Sequence, residues 1–298
     1  MQPEEIAARV WPGRELVVEP LGGGITNRNF KVTAHGEAFV LRIGGKDTAL
    51  LGIDREAEHA ASLAAAELGV GPEVIAFVEP EGYLVTRFLE GSVLPPEEVR
   101  QPEMLRRVAE TLRRVHEGPP FPTRFDSFRV VEAYLAIARE RGVAEPGAYR
   151  SAKQTADAIK GARGDQPDHP CHNDLLNANF IATAGEIRIV DWEYAGMGDR
   201  FFDLANFSIN HELSDPENEQ LLAAYFGGLD EAQLAALRLM RFMSDFREAM
   251  WGVVQQGLSE LDFDFVGYAE EHFARLETTA ADPAFQTALQ TIQAQLSQ

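Results

Sequence analysis

The residue pattern with the clearest chemistry is an ordered set of two aspartates and one asparagine. Asp174 is followed five positions later by Asn179, and Asp191 follows after a short predicted hairpin. In phosphoryl transfer, the first aspartate orients or deprotonates the acceptor hydroxyl, while the asparagine and the second aspartate hold Mg²⁺ on the nucleotide phosphates. Mg²⁺ prefers hard oxygen ligands, which carboxylate and amide groups supply. The pattern therefore predicts Asp174, Asn179 and Asp191 as catalytic residues, the last two as metal ligands.

A predicted hairpin connects these residues. Strand-like runs at 180–182 and 187–190 flank a turn-forming segment at 183–186. A hairpin of this length returns the chain beside its start, so Asp191 is expected to face Asn179 with both oxygens near one cation. Either aspartate alone is more simply an ordinary loop carboxylate. The complete His-x-Asp-x4-Asn-x11-Asp pattern favours a function.

The N-terminal part predicts strands around a glycine-rich turn. Strand signals at 15–18 lead into Leu-Gly-Gly-Gly-Ile-Thr-Asn at 21–27, a further strand ends near Val32, and another is predicted at 38–43. Adjacent glycines let the backbone approach a polyphosphate with its N–H groups, which makes Gly23 and Gly24 candidate nucleotide-binding residues. Most glycine-rich turns are only hairpin turns, and no Gly-Lys-Ser/Thr of the Walker type opens a helix here.

A helix is predicted at 54–68, with Asp54 as its N-cap. In protein kinases a basic residue on the third strand pairs with a glutamate on the following helix. Arg42 is the basic candidate here. Glu58 is the preferred acidic partner and Glu56 the alternative, although either glutamate alone could equally belong to a solvated helix face.

The chain changes character after residue 90. Hairpin strands are predicted at 74–78 and 83–88, and the composition is mostly helical beyond them. We therefore predict a bilobal α+β fold, with a small antiparallel-sheet nucleotide-binding lobe at 1–90 and a larger helical lobe with the catalytic loop and acceptor site at 91–298. The backbone from Arg87 to Leu89 is expected to bind the adenine edge, as a hinge between lobes. Helices are predicted at 3–10, 54–68, 102–117, 129–141, 150–163, 201–210, 217–226, 231–257, 265–277 and 283–296.

The net charge limits the classes of partner. A formal charge of -20 at pH 7 argues against nucleic acid and against an anionic membrane, because both carry negative charge. A cationic small molecule would be attracted, although acidity also serves solubility. No apolar run approaches 18 residues and no leader pattern is present, so a cytoplasmic protein without membrane insertion is expected.

Motifs that match one family are spread over nearly the whole chain. They are the Gly-Gly-Gly-Ile-Thr-Asn loop, the strand at 40–43, residues 55–58 and 68–72, His-Asn-Asp at 172–174, Asp-Trp-Glu-Tyr at 191–194, residues 202–206, and the segment 251–273. With these matches the chain resembles the choline/ethanolamine kinase family, within the wider aminoglycoside phosphotransferase-like group of small-molecule kinases. The resemblance implies a protein-kinase-like fold, ATP and Mg²⁺ as cofactors, and a small cationic alcohol such as choline as the acceptor.

The resemblance also implies roles on the nucleotide side. Asp174 is the implied catalytic base, and Thr26 and Asn27 are implied to lie over the phosphates. Arg42 stands where many kinases of the wider group have lysine, and its fork still holds phosphate and carboxylate groups. Asp203 is implied to brace the catalytic loop by accepting its backbone N–H groups.

On the acceptor side the resemblance implies an aromatic cage. Tyr194, Trp251 and Tyr268 fall on matching positions, and ring faces suit a quaternary ammonium because it has no N–H to donate. Two departures concern the acceptor. Glu248 stands where the family can have a second tryptophan, and Asn210, with Glu212 nearby, stands where the family has a cage-facing glutamate.

These departures leave the acceptor open between choline, ethanolamine and another amine. The alternatives are a sibling kinase for thiamine, an aminoglycoside or a sugar, and a pseudokinase that binds nucleotide without turnover. The sequence leaves the oligomeric state open, with a homodimer as one alternative.

Overall fold

A five-stranded antiparallel sheet forms the first part of the chain. The computed structural model describes residues 1–22 and 27–296, so the predicted sites Gly23, Gly24 and Thr26 lie outside the described residues. The spatial order of the strands is β1-β2-β3-β5-β4. The strands are β1 (Leu16–Leu21), β2 (Arg28–Ala34), β3 (Glu37–Ile43), β4 (Val74–Val78) and β5 (Tyr83–Arg87).

One face of this sheet forms a small hydrophobic core with α1 (Pro3–Val10). Along β3, buried Phe39, Leu41 and Ile43 alternate with more exposed residues, as expected for an antiparallel strand with one covered face. Ile6 and Ala7 of α1 pack into the same core. The core therefore fixes the register of β3, which carries Arg42 on the opposite face.

Helix α2 (Arg55–Glu67) joins the sheet to the rest of the molecule. The Asp54 side chain caps it by accepting the backbone N–H groups of Glu56 and Ala57, which satisfies donors that the first turn leaves free. Ala61 and Ala65 are buried in the large core of the C-terminal part and not in the sheet core. The helix thus places its first turn, with Glu58, between the two parts.

The remainder is mostly helical, as predicted. Its long central helix is buried over most of its length and packs against the helices before and after it. The helices are α3 (Pro96–Val99), α4 (Pro102–His116), α5 (Ser127–Glu140), α6 (Tyr149–Arg163), α7 (Arg200–Asn210), α8 (Asp215–Phe226), the central α9 (Glu231–Leu258), α10 (Phe265–Ala281) and α11 (Pro283–Leu296).

Short strands interrupt the helices where the predicted catalytic residues lie. The strand β6 (Ser92–Val93) pairs with the predicted hairpin of β8 (Phe180–Ala182) and β9 (Ile187–Ile189). The strand β7 (His169–Cys171) pairs with β10 (Gly196–Gly198). These pairings bring the segments before and after the catalytic hairpin together. The segments α3, β6 and β10 were not predicted, because two to four residues carry too little periodicity.

Gly91 allows the connection between the two parts to lie directly against the hairpin. A Cβ atom at this position would lie 2.3 Å from the Ala182 carbonyl oxygen and 2.9 Å from a side-chain carbon of Ile181. Both distances are below ordinary contact, and the closer atom belongs to the backbone. Any side chain here must therefore displace the hairpin that carries Asn179.

Gly91→Ala is expected to lower the free energy of unfolding by about 1–3 kcal/mol, because the added methyl group overpacks this contact. Chemical denaturation measures the change. Gly147→Ala is the matched control, since a Cβ atom there meets nothing within 4 Å. Equal stability of the two variants would show that the connection moves freely away from the hairpin.

The predicted fold class is confirmed by the small antiparallel sheet and the helical remainder. Most helices begin and end within a few residues of their predicted limits. Within the part of the chain that the structure describes, no helix combines the length and apolar character needed to span a membrane.

Candidate active site

A buried carboxylate holds the loop that carries Asp174. Asp203, in the first turn of α7, accepts the backbone N–H groups of His172 at 2.8 Å and of Asn173 at 2.7 Å. Charged acceptors make stronger hydrogen bonds than neutral ones, and burial strengthens them further. The loop backbone just before Asp174 is therefore fixed by α7, as the family resemblance implied for Asp203.

His116 also contacts Asp203, at the oxygen that accepts the backbone N–H of His172. Its Nε2 atom lies 3.0 Å from Asp203 and its Nδ1 atom 2.7 Å from the Tyr225 hydroxyl. All three side chains are buried. The Asp203 carboxylate is thus held by two backbone N–H groups and by the His116 ring, which leaves it few ways to move.

His172 orients the backbone of Asp174. Its Nε2 atom lies 3.0 Å from the Val190 carbonyl oxygen, while the Asp174 backbone N–H donates to Nδ1 at 3.2 Å. A carbonyl oxygen only accepts, so Nε2 carries the proton and Nδ1 accepts. Burial lowers the pKa of His172, in agreement with this neutral ring. The imidazole therefore links the catalytic loop to the end of the hairpin.

Two non-glycine residues of the site have left-handed backbone conformations. Asn173 has a φ of 66° and Asp191 a φ of 68°. Asn and Asp tolerate this region better than most residues, but it is still uncommon. Such conformations persist where the surrounding structure enforces them and are concentrated at functional sites.

Asp174 itself is a buried carboxylate with one cationic neighbour. Its Oδ1 atom accepts from the Arg247 guanidinium at 3.1 Å. Burial is the largest influence and raises the pKa of Asp174 to about 7, although Arg247 acts in the opposite direction. A carboxylate poised near neutrality is suited to accept a proton from an alcohol.

Asn179 and Asp191 lie at the two ends of the hairpin. The Val190 N–H donates to the Asn179 carbonyl at 3.0 Å, which places Asp191 next to Asn179 along the paired strands. The Asn179 side-chain amide donates to the Asp174 carbonyl at 2.8 Å. The amide nitrogen is thus used within the protein, and the side-chain oxygen of Asn179 remains as a ligand. Together with a carboxylate, this donor set fits Mg²⁺.

An alternating chain of charges connects the sheet, α2 and the segment after β9. Arg42 bonds Glu58 at 2.9 Å and Asp191 at 2.5 Å. Arg55 bonds Glu58 at 2.6 Å and Glu193 at 3.1 Å. Arg42 therefore pairs with Glu58 and not with Glu56, which is exposed on the far side of the helix.

Asn27, at the end of the glycine-rich turn, joins this network. Its side-chain amide donates to Glu193 at 2.8 Å. Burial and the nearby carboxylate of Asp191 raise the pKa of Glu193 to about 8. The Asn27 side chain is thus attached to the segment that carries Asp191.

The predicted hinge residues have different surroundings. The backbone N–H of Arg87 donates to the Glu73 carbonyl, and the N–H of Phe88 donates to the Ala38 carbonyl. The Arg87 side chain pairs with glutamates at the outer edge of the sheet. The N–H groups of Arg87 and Phe88 are therefore used in the sheet. The backbone around Leu89 remains the predicted site of the adenine contact.

The predicted acceptor residues Trp251, Tyr268 and Glu248 lie together on α9 and α10. The rings of Trp251 and Tyr268 are 5.6 Å apart and nearly perpendicular, a favourable edge-to-face arrangement. The Tyr268 hydroxyl donates to Glu248 at 2.8 Å. Glu248 in turn accepts from Arg247, which also contacts Asp174. The aromatic pair is thus connected to the candidate base through two side chains.

Tyr194 is also buried, but a cation of the protein occupies one of its faces. The guanidinium carbon of Arg247 lies 4.6 Å from the centroid of the Tyr194 ring, within the range of a cation–π contact. This face of the ring is therefore not available to an acceptor. Tyr194 therefore offers less ring surface to an acceptor than the predicted aromatic cage required.

The other two polar candidates differ in their positions. Asn210, at the end of α7, donates weakly to the Leu175 carbonyl at 3.4 Å and so lies beside the catalytic loop. Glu212 is exposed in the following turn. Of the three polar candidates, only Glu248 contacts a predicted cage residue directly.

Three charged residues of the site were not predicted. Arg55 lies three positions before Glu58, and this spacing places both on one helix face, so it offered a signal. Glu193 was noted only as part of a family motif. Arg247 directly precedes Glu248, and adjacent helical residues do not face each other, so no spacing rule indicates that Arg247 contacts both Glu248 and Asp174.

Known proteins are similar to the chain over most of its length. A family model described as the phosphotransferase enzyme family matches residues 17–239. Protein LicA of Haemophilus influenzae is 28% identical, covering 78% of this chain and 72% of that protein. Ethanolamine kinase 1 of Mus musculus is 25% identical, covering 88% of this chain and 84% of that protein. The crystal structure of a choline/ethanolamine kinase family protein from Mesorhizobium loti matches with a TM-score of 0.84 and 32% identity, covering 98% of this chain and 97% of that chain.

Proposed function

Because the chain belongs to the phosphotransferase enzyme family, and within it to the choline/ethanolamine kinase family, we propose that it transfers the γ-phosphoryl group of ATP to the hydroxyl of a small amino alcohol. Choline and ethanolamine are the acceptors that define this class. One observation carries the proposal. Asp174 is bonded through its backbone carbonyl to Asn179 at the start of the hairpin, and its buried carboxylate is connected through Arg247 to a cluster of aromatic and acidic side chains.

Asp174 acts as the base in this proposal. Its pKa near 7 leaves a large ionised fraction at neutral pH, and the carboxylate then accepts the proton of the acceptor hydroxyl. His172 and Asp203 hold the loop backbone, so the Asp174 carboxylate keeps its position while the acceptor reacts. Phosphoryl transfer depends mostly on such positioning and on charge neutralisation.

Asn179 and Asp191 are the residues that would hold Mg²⁺. When bound, the ion neutralises negative charge on the nucleotide phosphates. The hydrogen bond from the Asn179 amide to the Asp174 carbonyl keeps the asparagine oxygen directed away from the loop. Asp191 is held in its left-handed conformation and bonds Arg42.

The nucleotide side is assigned to Asn27, Arg42, Glu58 and the backbone at Leu89. Arg42, which is held by Glu58 and Asp191, offers a fork that binds phosphate oxygens. Asn27 lies next to Glu193 and so close to the same segment. Gly23, Gly24 and Thr26 complete this proposal from the sequence alone, since they lie outside the described residues.

The acceptor side is assigned to Trp251, Tyr268 and Glu248, with one face of Tyr194 and the Asn210 amide at its edges. Asp174 and Glu248 carry negative charge when ionised, while Arg247 carries one positive charge, so the group is negative by one charge overall. A monocationic acceptor would balance this charge. Ring faces and a carboxylate together suit either a quaternary or a primary ammonium group.

The proposal is tested by ATP turnover with Mg²⁺ against a panel of choline, ethanolamine, thiamine, an aminoglycoside and no acceptor. We expect ADP formation that depends on choline or ethanolamine and a phosphorylated product of matching mass. Turnover with only another acceptor would retain the kinase chemistry and replace the acceptor assignment. Nucleotide binding without turnover on any acceptor would contradict the proposed function.

Trp251→Ala is expected to raise the KM for the amino alcohol by roughly five- to thirtyfold, because loss of a cation–π contact costs ~1–2 kcal/mol. Steady-state kinetics at saturating ATP measure the effect. Trp11→Ala is the matched control, since Trp11 also packs on an aromatic ring but lies in the sheet core. An unchanged KM for the acceptor in folded Trp251→Ala would identify Trp251 as a packing residue only.

A further inference from the structure

Arg247 is a buried cation in contact with the candidate base. It lies on α9 and is only 2% exposed. Its Nη1 atom donates to Oδ1 of Asp174 at 3.1 Å and also to Oε1 of Glu248. The guanidinium plane lies over the ring of Tyr194. One nitrogen therefore bridges the carboxylate of the candidate base and the carboxylate of the predicted acceptor group.

Stability alone does not account for this arginine. Its Nε and Nη2 atoms are buried without a hydrogen-bond partner in the part of the chain that the structure describes. Unsatisfied buried donors are unfavourable, and buried ion pairs are often no more stabilising than well-packed apolar residues. A group kept in such an unfavourable setting next to a reacting carboxylate calls for a functional explanation.

The geometry around Asp174 supplies that explanation. A carboxylate has two oxygens, and Arg247 engages only Oδ1. The backbone on both sides of the carboxylate is already fixed, by His172 through the Asp174 N–H and by Asn179 through the Asp174 carbonyl. The remaining freedom is rotation of the side chain, and the contact with Arg247 removes it. Oδ2 is then left for the acceptor hydroxyl.

We propose that Arg247 is a positioning residue for phosphoryl transfer, which holds Asp174 and Glu248 in one arrangement so that base and ammonium-binding carboxylate face the same acceptor. The proposal rests on the proposed function, because it assigns Asp174 as the base. In this proposal Arg247 acts through its contact with Asp174 and has no role in nucleotide binding.

The test uses Arg247→Met, which keeps an unbranched apolar stem and removes the charged head group, and Arg247→Lys, which keeps the charge and one contact. For Arg247→Met we expect kcat to fall by about 10²-fold, the cost of a misplaced reacting group. Arg247→Lys is expected to recover part of this loss, since an ammonium can still hold Oδ1. The KM for ATP and the Kd for ADP are expected to stay unchanged in both variants.

Arg163→Met is the matched control. Arg163 is also buried, pairs with one carboxylate, Asp199, and lies over the ring of Phe201. These contacts do not include Asp174, so loss of Arg163 is expected to lower the melting temperature without lowering kcat. Circular dichroism and thermal melting show whether each variant is folded.

Two results would overturn the proposal. One is a folded Arg247→Met variant with kcat within threefold of the unchanged protein. The other is a loss of ADP affinity as large as the fall in kcat, which would indicate that the replacement disrupts the whole active site. If Arg247→Met does not fold, Arg247→Lys decides in the same assay. Should the unchanged protein show no turnover with any acceptor, the proposed function fails, and a crystal structure of Arg247→Lys or Arg247→Met still tests the positioning. An unmoved Asp174 side chain would contradict it.

Discussion

Asp174→Asn is expected to lower kcat by about 10³-fold, within the 10²–10⁴ range that a positioned acid or base contributes. The amide has nearly the same size as the carboxylate but does not accept the proton of the acceptor hydroxyl. Because burial raises the pKa of Asp174 and Arg247 keeps Glu248 as a charged partner, only a small loss of stability is expected. Nucleotide affinity should also stay unchanged, since Asp174 belongs to the acceptor side.

Turnover of the best acceptor, together with ADP titration and thermal melting, separates these effects. Asp168→Asn provides the control, because Asp168 lies shortly before the same loop but pairs with Arg124 near the surface. A folded Asp174→Asn variant whose kcat stays within threefold of the unchanged protein would remove Asp174 from its role as base. The remaining residues would then act only by binding and orientation.

Asp203→Asn is expected to lower the free energy of unfolding by about 3–5 kcal/mol, the cost of breaking a buried charged contact. Asp203 is fully buried and accepts from two backbone N–H groups and from His116. An asparagine has one oxygen and one NH₂ group, so at least one backbone N–H would face a donor. The catalytic loop should loosen, and kcat should fall together with stability.

Denaturant unfolding measures the stability, and the matched control is Asp245→Asn. Asp245 is also buried and accepts from two side chains on α10, but it contacts no catalytic-loop backbone. We expect both variants to lose stability and only Asp203→Asn to lose kcat in the folded fraction. Equal kinetic effects would mean that Asp203 has no particular role in the loop.

The sequence was most informative where spacing and residue type act together. Asp174, Asn179 and Asp191 could be found because their order repeats a known chemical arrangement around a hairpin whose length fixes their proximity. The pair of Arg42 and Glu58 followed from their places on a strand and a helix. Long helices such as α9 were predicted within a residue or two, because periodicity accumulates over many residues.

The sequence was least informative for contacts that depend on tertiary packing. His116 ends α4, where a histidine is usually exposed, yet the packing of α7 and α8 buries it beside Asp203. Arg247 lies in a segment that reads as a core helix, and its contact with Asp174 arises only when α9 meets the catalytic loop. Local patterns contain no information about which distant loop a buried side chain reaches.

The ion pair between the side chains of Arg247 and Glu248 has a consequence for how relatives of this protein differ. Arg247 and Glu248 satisfy each other in a buried site, so replacing either alone leaves a buried charge with one partner fewer, and their effects are not additive. Relatives with an aromatic residue at position 248 are therefore expected to lack arginine at position 247. Residues 247 and 248 should therefore be replaced together during evolution. Relatives in which only one of the two positions has changed should be rare.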